Sequence, residues 1–209
     1  MKGKVLGSVN LSNLIVIPSE SEEKSEIIYS KSSSGIYLGS SSNLSKPFFL
    51  DFEYLMNPHI FVVGMTGSGK TFMVKNLMLK LYAFIDSIIL LIDFTGEYKV
   101  FADFVMAKKY SYESIIEADK DKLNKLFYAS LDSLNEKKKI EAGKEILSSL
   151  VLFMRTRGVN KNKKFFIIID EAWKMIFNNS GIETIIREGR KYSVGIILAS
   201  QLIEDIEIN

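Results

Sequence analysis

The hydrophobic pattern of the chain changes after its first quarter, from short alternating runs to long apolar ones. Four nearly continuous apolar runs follow, which is typical of parallel strands buried on both faces of a sheet. After the first of them, apolar side chains recur at the spacing of a helix. Strands that alternate with helices in this way indicate an α/β core. The predicted elements are strands at 60–64, 87–93, 165–170 and 195–200 and a helix at 70–84.

Two other stretches depart from that pattern. Residues 101–160 are rich in Lys, Glu, Ser and Leu and predict a helical insertion in the core, with helices at about 112–129 and 137–156. Residues 1–58 alternate short β-type runs with Ser-rich turns. We therefore predict a small β-rich N-terminal appendage at 1–58 and a core at 59–209, with a partly disordered leader as the alternative for 18–35. The β-type runs are 14–17, 27–29, 36–38 and 48–50.

Residues 64–71, with the sequence GMTGSGKT, match the phosphate-binding pattern GxxxxGK[ST] at every fixed position. They lie between a predicted strand and a predicted helix, where glycines let backbone N–H groups point at an anion in front of the helix dipole. Lys70 is expected to reach the β- and γ-phosphates, and the Thr71 hydroxyl to hold Mg²⁺. An ordinary Gly/Ser turn is the alternative, which this context disfavours. The predicted nucleotide-binding residues are Gly64, Thr66, Gly67, Ser68, Gly69, Lys70 and Thr71.

Asp170 and Glu171 follow the third predicted core strand. The carboxyl edge of an open α/β sheet is where ligands bind, so we predict that Asp170 positions Mg²⁺ opposite Thr71. Glu171 is predicted to orient and deprotonate the water that attacks the γ-phosphate. Many strands end in an acid, and a solvated strand end is the alternative. The phosphate-binding pattern about a hundred residues upstream favours the catalytic interpretation.

Gln201 follows the last predicted strand. Its amide carries a donor and an acceptor and can contact both the γ-phosphate and the attacking water. An amide that caps a turn is the alternative.

The chain has only four arginines, and all of them come late in the sequence. Arg187 and Arg190 fall on a predicted helix at 181–191, and the guanidinium fork suits phosphate oxygens. From there an arginine can face the nucleotide of a neighbouring subunit. A surface helix end balanced by Glu183 and Glu188 is the alternative.

Composition narrows the function less than these motifs do. The 209 residues, 47% hydrophobic and 25% charged, describe an ordinary globular protein with one α/β core and a small appendage. A net charge of +2 neither favours nor excludes nucleic acid. The absence of cysteine excludes disulfides and thiolate metal sites and permits a cytoplasmic location. Neither a signal peptide nor a membrane span is predicted, so any membrane is expected to be reached through a partner.

These segments together resemble the HerA–FtsK class of P-loop motor ATPases, which includes DNA pumps, viral genome-packaging ATPases and type IV secretion ATPases. The similarity runs from about Leu38 to Gln201. The segment 91–98 looks like the second-strand motif of HerA and its relatives, an acid followed by Gly-Glu-Tyr. The segment 170–173 is similar to their acidic motif, and 187–201 to their arginine and glutamine segment.

The resemblance implies an α/β fold of the ASCE or RecA-like P-loop NTPase type, with helices flanking a parallel sheet. It also implies an ATPase that uses ATP and Mg²⁺ to move a polymer, expected to be double-stranded DNA. Arg190 takes the position of a finger inserted in trans, and Gln201 that of a polar sensor. The implied partners are further copies in a ring such as a hexamer, and a membrane-associated secretion complex or a capsid, in the cytoplasm of a cell or host.

Other functions remain open at this point. A type IV secretion or conjugation ATPase that moves proteins is the first alternative. A P-loop kinase would transfer the phosphoryl group to a small acceptor rather than to water. A nucleotide-gated assembly module would bind the nucleotide without turnover.

Overall fold

The structure is a computed structural model that describes residues 36–40, 47–50, 58–159, 163–172 and 180–201. Internal contacts divide the chain into two units, Met1–Asn57 and Pro58–Asn209. The predicted strands at 14–17 and 27–29 lie outside the described residues.

The first unit contains an antiparallel pair of strands, β1 (Ile36–Ser40) and β2 (Pro47–Leu50). Ile36 pairs with Leu50, and both side chains are buried. The rings of Tyr37 and Phe49 lie 5.6 Å apart between centroids on the paired strands. Cross-strand apolar pairs of this kind stabilise a hairpin. The two predicted strands in this region are confirmed.

The second unit is built on a sheet of six parallel strands in the order β3-β8-β7-β4-β6-β5. The strand β8 therefore separates β3, which leads into the phosphate-binding sequence, from β7, which leads into the acidic pair. Every residue of β4 and of β8 is buried, which explains their nearly continuous apolar sequences. The predicted α/β fold is confirmed. The strands are β3 (Ile60–Val63), β4 (Ser87–Asp93), β5 (Lys108–Tyr110), β6 (Leu126–Ser130), β7 (Lys164–Ile169) and β8 (Val194–Ser200).

Helices connect these strands, as expected of parallel pairs. The longest begins after Asn135, whose side chain accepts a hydrogen bond from the Lys138 amide at 2.9 Å and caps the helix. In the described part of the chain, no helix combines the length and hydrophobicity that crossing a bilayer needs. The helices are α1 (Lys70–Phe84), α2 (Lys99–Phe104), α3 (Tyr112–Glu117), α4 (Glu136–Arg157) and α5 (Ser180–Glu188), with 3₁₀ turns at Lys120–Lys122 and Gly189–Tyr192.

The predicted helix at 112–129 is wrong in its second half. The helix α3 ends at Glu117, and Leu126–Ser130 form the buried strand β6 between β4 and β5. A short apolar run has no decisive periodicity, and here pairing with β4 determines its conformation. The segment 101–160 thus contributes two strands to the sheet in addition to helices.

Two aromatic residues of α1 are exposed, although large apolar side chains in a helix are more often buried in the core. Phe72 is 72% exposed and Phe84 is 75% exposed. The face of α1 that packs inward carries Val74, Leu77, Met78 and Leu81. At 3.6 residues per turn, position 72 lies opposite that face, whereas Phe84 is the last residue of the helix.

Candidate functional site

The phosphate-binding sequence forms a loop, residues 64–69, between β3 and α1. Gly67 and Gly69 adopt φ angles of 80° and 92°, which glycine reaches without steric cost. The Gly64 amide donates to the Ser200 carbonyl at 3.2 Å, which ties the start of the loop to the end of β8. Among the described residues, no side chain caps α1. The first N–H groups of the helix are therefore available to an anion.

Lys70, in the first turn of α1, forms ion pairs with both predicted acids. Its Nζ lies 2.8 Å from Asp170 Oδ1 and 2.8 Å from Glu171 Oε1. Burial alone would lower the pKa of Lys70, but its hydrogen bonds and charge interactions with the two carboxylates raise it above the usual value. The structure thus brings together one ammonium group and two acids from positions a hundred residues apart in sequence.

Asp170 lies at the end of β7 with both carboxylate oxygens engaged. Its Oδ1 accepts from Lys70 Nζ and from the Glu171 amide at 2.9 Å. Its Oδ2 accepts from the Tyr98 hydroxyl at 2.7 Å and lies 3.5 Å from Thr71 Oγ1. The two groups predicted to hold Mg²⁺, Asp170 and Thr71, therefore face each other.

The oxygen atoms of Asp170 and Thr71 are suitable ligands for Mg²⁺ when a nucleotide is also bound. Mg²⁺ prefers oxygen ligands and usually keeps several waters alongside one or two protein groups and substrate phosphates. Within the described ranges, no cluster of three or more His, Cys, Asp or Glu residues is arranged to hold a metal by itself. A hydroxyl and a carboxylate beside a phosphate loop fit an ion that arrives with the triphosphate.

Glu171 adopts a left-handed backbone conformation, with φ of 54°. That region is uncommon for residues other than glycine, and such conformations cluster at functional sites. The next amide, of Ala172, donates to the Ala199 carbonyl at 2.9 Å and fixes the chain against β8. Gln201 Nε2 lies 3.4 Å from both oxygens of Glu171. The predicted base and the predicted sensor are thus adjacent.

The turn after β4 contributes two residues to the site that were not predicted. Glu97 Oε2 accepts from Thr71 Oγ1 at 3.3 Å, and the Tyr98 hydroxyl donates to Asp170. Burial and the nearby charge of Asp170 raise the pKa of Tyr98, so its phenol stays protonated. The only sequence signal for these residues was the motif at 91–98, which spans the end of β4 and the turn after it. In the sheet, β4 lies next to β7, the strand that leads into the acidic pair.

Asp93 builds that turn. Its side chain is fully buried, and Oδ1 accepts from the Thr95 amide at 3.0 Å and from the Gly96 amide at 2.9 Å. Its Oδ2 accepts from the Tyr98 amide at 3.0 Å and from the Tyr128 hydroxyl at 3.1 Å. The acid of this motif therefore has a structural role and holds the following residues in place.

The four arginines separate into three with partners and one without. Arg190 is exposed on the 3₁₀ turn after α5, and among the described residues its side chain makes no hydrogen bond or ion pair. It is not brought to Lys70 or to the acids within this chain. The other three are engaged: Arg187 with Glu183 at 2.7 Å, Arg155 with Glu188 at 2.8 Å, and the buried Arg157 with Asp121 and the Lys163 carbonyl.

His59 has a structural position. It is 4% exposed, and its Nδ1 accepts from the Ile196 amide at 3.1 Å, which links the entry of β3 to β8. Burial lowers its pKa to about 4, so the ring is neutral at physiological pH. The ring also packs closely against Gly189, because a Cβ added at Gly189 would lie 3.2 Å from His59 Cε1.

Comparison with known proteins gives a family match and several similar folds. The family model "Helicase HerA, central domain" matches residues 36–107, which is less than half of the chain. No curated protein matches the sequence significantly. VirB4 of Thermoanaerobacter pseudethanolicus superposes with a TM-score of 0.64 at 14% identity, over 85% of this chain and 79% of VirB4.

Two further structures are similar. The cytoplasmic domain of the type VII secretion ATPase EccC from Thermomonospora curvata has a TM-score of 0.57 at 13% identity, over 80% of this chain and 19% of EccC. The pCW3 conjugation coupling protein TcpA, solved with ATPγS, has a TM-score of 0.53 at 14% identity, over 85% of this chain and 51% of TcpA. The chain spans only a minor part of EccC.

The resemblance to the HerA–FtsK class is confirmed by the family match together with these folds. At such low identities the structural likeness establishes the fold alone, which is a P-loop NTPase-like α/β fold. Of these neighbours, EccC is a type VII secretion ATPase and TcpA is a conjugation coupling protein.

Proposed function

We propose that this chain is a Mg²⁺-dependent ATP hydrolase of the HerA–FtsK motor type that moves double-stranded DNA. The observation that carries the proposal is the contact of Lys70 with both Asp170 and Glu171 at 2.8 Å, directly behind a glycine loop. A cation, a metal-binding acid and a second acid are the groups that phosphoryl transfer from ATP to water requires. The family match to HerA supports the same activity.

Nucleotide binding falls to the loop and to Lys70. The N–H groups at the start of α1 would bind the phosphate oxygens, and Lys70 would turn from the carboxylates toward the β- and γ-phosphates. Thr71 and Asp170 would hold Mg²⁺, which when bound offsets the charge that develops on the phosphate oxygens. The ion pairs of Lys70 seen here offset part of the negative charge of the two acids, and they would break when the triphosphate arrives.

Glu171 would act as the general base. Once Lys70 contacts phosphate, the Glu171 carboxylate loses the cation that holds it here and can accept a proton from water. The water oxygen bonds to the γ-phosphorus while the bond to the β–γ bridging oxygen breaks, which releases ADP and inorganic phosphate. Gln201, 3.4 Å from Glu171, would orient that water.

A neighbouring copy would complete the site. The described residues bring no arginine to the acids, whereas Arg190 is exposed and unpaired among them. An arginine supplied in trans would neutralise charge in the transition state. We therefore propose a ring of identical chains in which Arg190 of each reaches the nucleotide of the next.

The test is steady-state phosphate release by the full chain across a range of protein concentrations, with and without double-stranded DNA. We expect the rate per chain to rise as copies assemble and to rise again when DNA is added. The matched control is Lys70→Ala, which should release no phosphate under any of these conditions.

Each outcome bears on a different part of the proposal. A rate per chain that is independent of concentration would contradict the arginine in trans. Assembled protein that hydrolyses ATP without responding to DNA would contradict DNA as the polymer and favour a protein substrate. Phosphate that appears on an acceptor rather than in solution would favour a kinase.

A further inference from the structure

We propose that Tyr98 is a positioning residue for the magnesium site, which holds the Asp170 carboxylate in the orientation that faces Thr71. The inference rests on the proposed function, because it assigns a role to Tyr98 at the same metal site. Neither the phosphate loop nor the acidic pair includes this residue. It enters the site from the turn after β4.

The contacts of Asp170 show what Tyr98 contributes. Tyr98 is fully buried, and its hydroxyl donates to Asp170 Oδ2 at 2.7 Å. That same oxygen lies 3.5 Å from Thr71 Oγ1, whereas Oδ1 faces Lys70 and the Glu171 amide. A rotation of the carboxylate would break the Tyr98 bond and turn Oδ2 away from Thr71.

Nucleotide binding makes this contact more important. When Lys70 turns to the phosphates, Asp170 loses its ion pair and keeps the Glu171 amide on Oδ1. Of the two hydrogen bonds to Oδ2 seen here, the one from the Tyr98 hydroxyl, at 2.7 Å, is the shorter, and it remains when Lys70 leaves. A hydrogen bond from O–H to a carboxylate is charge-assisted and is among the stronger ones in proteins. Tyr98 would thus keep the metal-facing oxygen in place during the step in which the metal arrives.

Tyr98 is itself held from several directions. Its amide donates to the buried Asp93 at 3.0 Å, and its carbonyl accepts from the Ala102 amide at 2.7 Å. Lys75 Nζ lies 5.0 Å from the centre of the Tyr98 ring and donates to the Glu97 carbonyl at 3.2 Å. A ring fixed on its backbone and covered on one face can transmit the rigidity of the turn to Asp170.

The experiment is a Mg²⁺ titration of the full-length Tyr98→Phe variant. Its readout is the equilibrium binding of a fluorescent ATP analogue. Removal of a group that orients a metal-binding side chain typically weakens metal binding by roughly 10- to 100-fold. We therefore expect the half-saturating Mg²⁺ concentration to rise roughly tenfold or more. Binding of the analogue in EDTA should stay unchanged, because the loop and Lys70 are intact.

Tyr128→Phe is the matched control. Tyr128 is 2% exposed, and its hydroxyl donates to Asp93 Oδ2 at 3.1 Å, so the variant removes the same atom from a buried tyrosine bonded to a buried carboxylate. Tyr128 makes no hydrogen bond to Asp170. Both variants should lose a similar amount of thermal stability, and only Tyr98→Phe should change the Mg²⁺ requirement.

The outcomes separate this inference from the proposed function. A Mg²⁺ midpoint for Tyr98→Phe equal to that of the wild type, or shifted no more than that of Tyr128→Phe, would overturn the positioning role while the proposed function stands. Weaker binding of the analogue in EDTA would also overturn it, because the loss would then lie in the phosphate loop. A wild type whose analogue binding does not depend on Mg²⁺ would contradict the proposed function and this inference together.

Discussion

The buried and the exposed halves of the site differ in whether their groups have partners. Lys70, Asp170 and Tyr98 are largely buried and bonded to one another. The loop residues 65–69 and Arg190 are exposed. The buried half is complete within one chain, whereas the exposed half presents backbone amides and a guanidinium that suit phosphate oxygens. Under the proposed function, one chain would build the metal and base positions, and the remaining contacts to phosphate would come from the loop amides and from the arginine of a neighbour.

Arg190→Ala tests the exposed half and should have the largest effect. An arginine finger is worth roughly 10³- to 10⁵-fold in rate, so we expect turnover of assembled protein to fall by about that factor with little change in ATP affinity. Steady-state phosphate release and equilibrium ATP binding measure the two quantities. The control is Arg187→Ala, which removes an exposed arginine that pairs with Glu183 one turn earlier.

Mixing two inactive variants sharpens that test. Arg190→Ala retains its own Glu171, and Glu171→Gln retains its own Arg190. A mixed ring therefore contains interfaces at which both groups are intact, and phosphate release should reappear on mixing. If the mixture stays as inactive as its components, Arg190 does not act across an interface.

Glu171→Gln tests the buried half and should have the next largest effect. A general base contributes roughly 10²- to 10⁴-fold, so turnover should fall by about that factor while ATP still binds. Glu183→Gln, the same change on the exposed face of α5, should leave turnover within twofold or so of the wild type. Unchanged turnover in Glu171→Gln would assign the base to another group and remove the distinction between the two halves.

We expect the free energy of unfolding to depend on pH because of the buried His59. Its pKa is about 4 in the fold against 6.5 for the free side chain, so the unfolded chain binds the proton first. The stabilisation is complete above pH 6.5 and is lost as the pH falls toward 4, by at most about 3 kcal/mol. In His59→Asn the amide oxygen can still accept from Ile196, and this loss should disappear.

Urea unfolding at a series of pH values measures the His59 effect. The difference in free energy of unfolding between wild type and His59→Asn should shrink as the pH falls, because the carboxylates titrate in both proteins and cancel. Curves that stay parallel between pH 6.5 and 4 would show that His59 is accessible to protons in the folded state.

Arg155→Met should have the smallest effect. Arg155 forms a bidentate contact with Glu188 on α5, but its side chain is 51% exposed. Exposed ion pairs are worth about 0–1 kcal/mol, so thermal unfolding should change little and turnover should stay near the wild-type value. A large loss of turnover would mean that this pair sets the position of Arg190, and the exposed half would then depend on the core.

The sequence predicted best where a motif has a fixed spacing and a fixed place in the fold. The loop at 64–69 and the acidic pair at 170–171 each follow a strand of continuous apolar residues, so topology alone brings them to one edge of the sheet. The contact between Lys70 and the acids follows from that arrangement. The sequence does not specify the 2.8 Å distances, nor that Lys70 pairs with both acids at once.

The sequence predicted less well where tertiary contacts decide. The strand β6 has a short apolar sequence that only pairing with β4 distinguishes from a helix. Phe72 looked apolar enough for the core, but its side of α1 faces solvent. Tyr98 belongs to the motif at 91–98, but its hydrogen bond to Asp170 depends on the pairing of β4 with β7. No local sequence pattern encodes that pairing.

A crystal structure of the chain with a non-hydrolysable ATP analogue and Mg²⁺ tests the central claim most directly. We predict that Lys70 Nζ moves from the two carboxylates to the β- and γ-phosphates, with Mg²⁺ between Thr71 and Asp170 and with Glu171 facing the γ-phosphate. Lys70 still paired with Asp170 and Glu171, and the analogue bound elsewhere or not at all, would contradict it.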